Sequence, residues 1–238
     1  MRSDPSDKCE MVNQVLYGEI FKVLEQRKKW SNIRLNHDGY EGWIDNKQYL
    51  ELDKETYASV KAQTVRITSD PVQFVQIESS SLQTVVLGSS LQHIDLLSHH
   101  YEADFLDTKR EKKYILETAA LYLKTPYLWG GRSPFGIDCS GFTQMVYRIN
   151  GHQLLRDASQ QATQGEPLSF IEESEPGDLA FFDNKDGDIV HVGIIMRDNY
   201  IIHAHGEVRI DRLDHTGIYN AEKRTHTHKL RVIKKIIS

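Results

Sequence analysis

The sequence predicts a small all-β region followed by an α+β domain. In the first hundred or so residues, stretches rich in Val, Ile and Thr alternate with turns rich in Gly, Pro, Asn and Asp. Residues 110–151 contain two patterns of apolar residues at helical spacing. After a polar stretch with "LLRDASQQATQG", five stretches read as strands separated by turns, namely "EPGDLAFFD", "IVHVGIIM", "YIIHAHG", "VRIDRL" and "HKLRVIKKII". Because these helices precede the strands, the C-terminal half is expected to pair helices with an antiparallel sheet.

Composition limits the protein class. The chain has 238 residues, of which 39% are hydrophobic and 26% charged, enough to bury one large core or two small ones. With 29 Lys and Arg against 34 Asp and Glu, the net charge of -5 gives no general attraction to nucleic acid or anionic lipid. Neither an apolar leader in "MRSDPSDKCE" nor an apolar run of membrane-spanning length is found. We therefore expect a cytoplasmic protein, or a periplasmic or extracellular one if a signal was removed, with Cys9 and Cys139 as free thiols.

The N-terminal half predicts short strands. "VLYGEIFKVLEQ" and "KWSNIRLNHDGYEGWIDNKQYLEL" are strand candidates in which "HDG" and "EGW" supply turn chemistry, as expected for a small β-barrel. A second stretch, from Gln63 to Leu96, is again rich in Val, Ile and Thr. It either completes this barrel or forms a second small β unit that begins near residue 57.

A rise in charge and polarity predicts a domain boundary near Asp107, giving domains 1–106 and 107–238. "REKKYILETAALYLKTP" predicts a helix with Pro126 just beyond its end. Its apolar face comprises Ile115, Ala119, Tyr122 and Leu123. A second helix is predicted to begin at Cys139 and end at "NG", with an apolar stripe of Phe142, Val146 and Ile149.

Cys139 occupies the first turn of that second helix. The unpaired backbone N–H groups and the helix dipole there favour a thiolate, and can lower a cysteine pKa from about 8.5 to roughly 3.5–7.5. The thiol is therefore a candidate nucleophile. The alternative is a small buried hydrophobic residue, which is the more common fate of a free cysteine.

The candidate base lies in "HVGIIMRDNYIIHAHG", which predicts two strands around a turn at "RDN". A hairpin centred on Arg197 places His191 directly opposite His203, with Cβ atoms about 4.5–5.5 Å apart. One imidazole would then move protons while the other fixes its tautomer and orientation. A turn centred between Asp198 and Asn199 would instead pair His203 with Ile194 and separate the two imidazoles. Ordinary surface or hydrogen-bonded histidines are the alternative interpretation.

Gly193 shares a face with His191, and its missing side chain is expected to leave room for the cysteine helix. Three further histidine groups attract attention as possible metal ligands, but no Cys or carboxylate joins them at the spacing of a structural zinc site. They are His99 with His100, His203 with His205, and His226 with His228. We therefore predict no metal site.

Five motifs resemble those of the NlpC-type cysteine peptidases that act on bacterial cell-wall peptides. "YLWGGRSPFGIDCSGFTQMVY", "LLRDASQQ", "EPGDLAFF", "HVGII" and "YIIHAHG" occur in the family's order and spacing over residues 109–238. "QVLYGEIFKVLEQRKKWSNIRL" followed by "DGYEGWID" similarly resembles the bacterial SH3-like barrel that precedes the peptidase in γ-D-glutamyl-L-diamino acid endopeptidases. The resemblance implies a papain-like catalytic domain after an SH3-like barrel.

The resemblance also implies residue roles. Cys139 is the nucleophile, His191 the general base and acid, and His203 the orienting third member. Tyr127 stabilises the oxyanion together with the Cys139 N–H, unless its ring only packs. The implied substrate-binding residues are Asp138, Ser140, Asp157, Glu10, Tyr40, Trp129, Arg156 and Ser159. Among these, Asp138 equally fits a helix cap and Glu10 a solvated loop charge.

The expected activity, on the same resemblance, is cleavage after the D-glutamyl residue of L-Ala-γ-D-Glu-L-Lys or its diaminopimelate counterpart. Asp157 and Glu10 would hold the free L-Ala amine beside Tyr40, and muropeptide recycling would be the purpose. Neither a metal nor an organic cofactor is expected. A secreted endopeptidase acting on intact wall and a non-catalytic peptide-binding module are the alternatives. No oligomeric state follows from the sequence.

Overall fold

The structure is a computed structural model that describes residues 1–77, 81–107 and 109–237. It divides into two compact units. The N-terminal unit comprises Met1–Thr108 and Trp129–Pro134, and the C-terminal unit comprises Lys109–Leu128 and Phe135–Ser238. The chain therefore returns to the N-terminal unit for a short segment that the sequence assigns to the second domain. No helix in the described residues is long and apolar enough to cross a membrane.

The N-terminal unit begins with a three-stranded antiparallel sheet. Its strands are β1 (Phe21–Gln26), β2 (Trp30–Leu35) and β3 (Glu41–Asp45), paired in that order. Ile33, Leu35 and Ile44 form the buried core beneath them. The predicted turn at "HDG" is confirmed, whereas "EGW" lies inside β3 and is not a turn. Glu41 of that motif is a polar residue exposed on the strand, and an exposed polar residue beside a glycine is also typical of a turn.

A helix follows where the sequence predicts only strands. The helix is α1 (Lys54–Ala62), and Asp53 caps it by accepting a hydrogen bond from the Thr56 N–H at 2.8 Å. An Asp cap followed by Glu55 in the first turn is a helix-start signal that the sequence does contain. The alternative of a β unit that starts near residue 57 is therefore wrong about where the strands begin, because residue 57 lies in α1. Short strand pairs follow, namely β4 (Ile67–Thr68) with β7 (Phe105–Leu106) and β5 (Val72–Gln76) with β6 (Leu82–Val86). Residues 78–80 of the predicted β stretch lie outside the described residues.

Arg132 explains why Trp129–Pro134 belongs to the N-terminal unit. Its guanidinium donates two hydrogen bonds to the Glu19 carboxylate, at 3.0 and 2.9 Å, and both side chains are fully buried. Its backbone N–H donates to the Gln14 side-chain oxygen at 2.6 Å. A buried ion pair needs such additional bonds to offset the loss of hydration.

The C-terminal unit places helices beside a closed antiparallel sheet. Its helices are α2 (Ile115–Ala120), α3 (Cys139–Ile149) and α4 (Ala158–Gln161). The two short strands that precede α3 are β8 (Arg132–Ser133), which lies in the N-terminal unit, and β9 (Gly136–Ile137). The sheet contains β10 (Glu166–Leu168), β11 (Leu179–Asp183), β12 (Ile189–Ile195), β13 (Tyr200–His205), β14 (Glu207–Leu213), β15 (Gly217–Asn220) and β16 (Thr225–Lys235).

Pairing closes this sheet. Its order is β10-β16-β11-β12-β13-β14-β15, and β15 also pairs with β16, so the strands from β11 to β16 form a ring. Helix α3 packs against β12 and β13, and its Phe142, Met145 and Val146 side chains are completely buried. This packing holds the start of α3 against the two strands that carry the predicted histidines.

The predicted helices are present, with one change. The helix starting at Cys139 is confirmed. The earlier helix ends at Ala120, and Leu123, predicted on its apolar face, is 43% exposed. Beyond Ala120 the chain continues as turns, so helical periodicity no longer determines which side chains are buried.

Candidate active site

Cys139 is the first residue of α3, as predicted. The preceding residue, Asp138, caps the helix by accepting the Gly141 N–H at 2.6 Å. The thiol is buried and lies beside β12, because the backbone N–H of Val192 donates a hydrogen bond to it. Val192 directly follows His191, so this contact brings the thiol to the strand segment that carries the candidate base.

Asp138 is more than a cap. Arg156 donates hydrogen bonds to both of its carboxylate oxygens, at 2.9 and 2.6 Å, and the pair is almost completely buried. Arg156 also donates to the Ser140 hydroxyl at 3.0 Å. Three of the predicted substrate-binding residues therefore form one internal network. This network fixes the backbone on both sides of Cys139.

The thiol pKa differs from the prediction. Burial, followed by the negative charge of Asp138, raises the pKa of Cys139 to about 12. Hydrogen bonds from the Val192 and Ser140 backbones and the charge of Arg156 lower it by less. The helix start alone therefore does not produce a thiolate, because loss of hydration outweighs the dipole. A base must remove the proton.

The histidine hairpin has a different register from the predicted one. Gly193, rather than His191, lies opposite His203. The turn centres on Asp198, where Asp198 and Asn199 both adopt positive φ, at 57° and 58°. Both residue types tolerate this conformation, which lets the turn shift by one residue from Arg197. His191 remains on the same face as His203, as a diagonal rather than a direct neighbour.

Gly193 makes room for His203 and not for α3. A Cβ atom placed on Gly193 would lie 2.8 Å from the His203 Cβ and 2.8 Å from Ile201 Cδ1. The expectation that this glycine admits the cysteine helix is therefore wrong. The missing side chain instead lets the His203 ring lean along the strand toward His191.

Three side chains form a hydrogen-bonded series. His191 Nε2 lies 2.8 Å from His203 Nδ1, and His203 Nε2 lies 3.1 Å from Asp211 Oδ2. The carboxylate only accepts, so His203 carries its proton on Nε2 and accepts at Nδ1. His191 must then carry its proton on Nε2. Its Nδ1 is consequently the nitrogen with a free electron pair.

Asp211 is a site residue that the sequence reasoning missed. Arg209 anchors it with two hydrogen bonds, at 2.8 and 3.1 Å. Burial raises the pKa of Asp211, but hydrogen bonds from His203 and Arg209 outweigh this and lower it overall. A signal was present, because a hairpin centred on Gly206 pairs His203 with Arg209 and puts Asp211 on the same face.

Burial keeps both imidazoles neutral. It lowers the pKa of His191 well below its ordinary value of 6.5, and the neighbouring imidazoles, His203 first, lower it further. Burial also lowers the pKa of His203, against the opposing effect of Asp211. A neutral His191 with a free Nδ1 electron pair is the form that can accept a thiol proton.

Tyr127 is half-buried near the thiol. Burial first, and then the charges of Cys139 and Asp138, raises the pKa of its hydroxyl, which therefore stays protonated at neutral pH. A protonated phenol can donate a hydrogen bond to an oxyanion. The protonated hydroxyl is the form that the predicted oxyanion role requires, and that role stays a prediction.

The remaining predicted residues are distributed over both units. In the N-terminal unit the Glu10 carboxylate accepts the Trp129 indole N–H at 2.5 Å, which joins two predicted substrate-binding residues. Tyr40 packs partly buried against the core of the three-stranded sheet. In the C-terminal unit Asp157 caps α4 and Ser159 is exposed within it. The substrate contacts of these residues stay predictions.

Comparison with known proteins agrees with this geometry. Residues 124–228 match the NlpC/P60 family, and residues 1–48 match the bacterial dipeptidyl-peptidase Sh3 domain. A γ-D-glutamyl-L-lysine dipeptidyl-peptidase of Bacillus subtilis (strain 168) is 30% identical over 216 residues, covering 80% of this chain and 71% of its own. The chain belongs to the NlpC/P60 family.

Two further comparisons span nearly the whole chain. A dipeptidyl-peptidase 6 of Lysinibacillus sphaericus is 28% identical over 251 residues, covering 89% of this chain and 88% of its own. The crystal structure of an NlpC/P60 family protein from Bacillus cereus ATCC 10987 superposes with a TM-score of 0.78 at 20% identity, covering 95% of this chain and 82% of that one. The NlpC/P60 fold and an SH3-like N-terminal domain are thus both supported.

This NlpC/P60 chain is a cysteine peptidase, as the sequence predicts. Its site brings Cys139 and His191 to adjacent elements and connects His191 to His203 and Asp211. Such an arrangement can generate a thiolate by proton transfer and return the proton to a leaving group.

Proposed function

We propose that this NlpC/P60 peptidase cleaves the γ-D-glutamyl-L-diamino acid bond of cell-wall peptides whose N-terminal L-Ala is free. The observation that carries the proposal is the hydrogen-bonded series His191–His203–Asp211 beside the thiol at the start of α3. The bond to be cut is supported by the Bacillus subtilis relative, whose name specifies γ-D-glutamyl-L-lysine.

The first half-reaction forms an acyl-enzyme. His191 Nδ1 takes the thiol proton as Cys139 Sγ attacks the γ-carbonyl carbon of the D-glutamyl residue. The Cys139 N–H and the Tyr127 hydroxyl donate hydrogen bonds to the resulting oxyanion. The C–N bond then breaks, His191 gives its proton to the departing amine, and a thioester remains.

The second half-reaction restores the thiol. His191 Nδ1 takes a proton from water, whose oxygen attacks the thioester carbon. The C–S bond breaks, the carboxylic acid leaves, and the proton returns to sulfur. His203 keeps the Nε2 proton of His191 in place throughout, because its Nδ1 accepts that N–H.

The requirement for a free amine is supported by the names of relatives. Two of them are called dipeptidyl-peptidases, a term for enzymes that remove two residues from a free N-terminus. In the C-terminal unit, Asp157 is the carboxylate proposed to bind the L-Ala ammonium. An unbound stem peptide has that ammonium, whereas a stem attached to muramic acid has an amide. Recycling of released muropeptides is therefore the role that fits this specificity.

Defined peptides test the proposal. L-Ala-γ-D-Glu-L-Lys, its diaminopimelate counterpart and the N-acetylated form of each are incubated with the enzyme, and products are identified by mass spectrometry. We expect release of L-Ala-γ-D-Glu from the free peptides. Acetylation removes the positive charge of the L-Ala amine that the proposed site would bind, so kcat/KM should fall by about 30-fold or more.

The controls separate the parts of the proposal. Cys139→Ala should show no cleavage, while Cys9→Ser should match the wild type. Cleavage of free and acetylated peptides within about threefold of each other would refute the amine requirement and favour action on intact wall. No cleavage of any peptide would refute the proposed bond.

A further inference from the structure

His228 belongs to the same cluster of rings as the catalytic pair, although no motif marks it. It lies on β16, and its ring stacks on that of His191 with centroids 4.1 Å apart and planes inclined by 24°. Its ring also meets His205 edge-on at 4.8 Å and Phe182 at 5.9 Å. His228 is half-buried, and its Nδ1 lies 2.9 Å from the Thr227 hydroxyl.

The His191 ring needs a second constraint. Its Nε2 is fixed by the bond to His203, but one hydrogen bond leaves the ring able to rotate about that point. Proton transfer from Cys139 requires Nδ1 to be aimed at sulfur, and small misplacements are costly. The nearly parallel His228 ring, at van der Waals distance, limits rotation of the His191 ring out of its own plane.

We propose, resting on the peptidase function above, that His228 is a positioning residue, whose ring holds the His191 imidazole in the plane that directs Nδ1 to the Cys139 thiol. The ring also covers one side of His191 and excludes water from it. No other described ring lies as close to His191, since His203 meets it edge-on at 5.0 Å and Phe182 is 5.8 Å away and tilted by 47°.

The neutral state of His228 supports its role as a positioning residue. Burial, then His203 and His205, lowers the pKa of His228 to about 3, so the ring is neutral whenever the enzyme works. A neutral ring can remain stacked after His191 accepts the thiol proton, because no repulsion arises between the two. The other titratable or charged groups around the cluster are Cys139 on α3, His203 and His205 on β13, Arg209 and Asp211 on β14, and Lys223 before β16.

The strand offers a matched control. His226 lies two residues earlier on β16, but its ring bonds the Asp214 carboxylate at 2.8 Å and contacts Tyr219. It therefore shares the strand and the residue type without the stacking. We compare His228→Ala, His228→Phe and His226→Ala in a Cys9→Ser background, in which Cys139 is the sole thiol.

Two readouts are measured. The first is kcat and KM on L-Ala-γ-D-Glu-L-Lys, and the second is the pH dependence of Cys139 alkylation by iodoacetamide. For His228→Ala we expect kcat to fall about 10-fold to 100-fold with KM nearly unchanged. The acidic midpoint of alkylation should move to higher pH, because water reaches His191 and raises its pKa. His228→Phe should recover most of both, and His226→Ala should match the background.

Each result has one meaning. An unchanged kcat and an unchanged midpoint in His228→Ala would overturn the proposal, and so would an equal effect of His226→Ala. A loss of rate that parallels a lower melting temperature with no midpoint shift would show a merely structural role. If the background enzyme cleaves no peptide, the proposed substrate is wrong, while the alkylation midpoints still decide the role of His228.

Discussion

Asp211 determines which ring nitrogens of His203 and His191 carry protons. It does so through His203, which bonds both the Asp211 carboxylate and the His191 ring. Its carboxylate accepts from His203 Nε2, which leaves His203 Nδ1 to accept from His191. Without the carboxylate His203 can adopt either tautomer, and the wrong one presents an N–H to the N–H of His191. We therefore expect Asp211, a residue outside the reacting pair, to have a measurable effect on the rate.

Replacing Asp211 tests this effect. Asp211→Ala should lower kcat by about 10-fold to 100-fold, less than the roughly 10⁴-fold known for a carboxylate in direct contact with a catalytic histidine. Glu222→Ala is the control, since Glu222 also bonds Arg209, at 3.4 Å, and is exposed. Steady-state kinetics of both variants decide the matter, and equal effects would show that Asp211 acts only by anchoring Arg209.

The depressed pKa of His191 predicts activity in mild acid. In the proposed mechanism His191 works as a neutral base, and burial lowers its pKa below the ordinary value of 6.5. The rate should therefore fall only when pH drops through that lower pKa, so the acidic limb of kcat/KM has its midpoint below pH 6.5. A pH profile on L-Ala-γ-D-Glu-L-Lys measures this, and a midpoint at or above 6.5 would contradict it.

At the scale of elements, the start of α3 depends on a buried charge pair. Asp138 satisfies the Gly141 N–H and pairs with Arg156. The structure contains a matched comparison, because Asp53 caps α1 through Thr56 at an exposed position. These two caps share a residue type and differ in burial and in the ion pair that Asp138 makes with Arg156.

Removing each cap should have different consequences. Asp138→Ala leaves the Arg156 guanidinium buried without its partner, and we expect the free energy of unfolding to fall by about 3–5 kcal/mol. Asp53→Ala should cause a much smaller loss. Urea denaturation measures both changes. Comparable losses would mean that Arg156 finds another partner or water when Asp138 is removed.

Helices and strands could be predicted where local sequence signals alone indicate which residues are buried. The Cys139 helix was predicted because its cap, apolar stripe and "NG" stop all agree. The short β15 and helix α1 were missed, since β15 has four residues and α1 buries only Val60. The start of α3 at Cys139 and the placement of His191 and His203 on one face were also predicted from the sequence. The hairpin register was not, because two adjacent residues with positive φ shift it in a way that composition does not reveal.

At the scale of the whole molecule, the histidine cluster links catalysis to acid stability. The pKa values of His191, His203, His205 and His228 are all lowered, with burial as the largest cause for each. The unfolded chain therefore binds more protons than the native protein once pH drops below about 6.5. Stability rises with pH in that window and is lost as pH falls.

This predicts a decrease in the free energy of unfolding between about pH 7 and pH 5, by up to ~1.4 kcal/mol per pH unit for each fully buried histidine. The partly buried His205 and His228 should contribute less. Urea midpoints across this range measure the effect, and His191→Gln should make the slope shallower. A flat profile would contradict the prediction.

The return of Trp129–Pro134 to the N-terminal unit has a consequence for how such domains can be exchanged in evolution. A recombination event that replaced the SH3-like domain at its boundary would bring in a new residue at position 19 while Arg132 stayed behind. A buried guanidinium without its counter-ion costs about 3–5 kcal/mol, a large fraction of a typical domain's stability. The heritable module is therefore discontinuous, and residues 19 and 132 must be inherited as a pair.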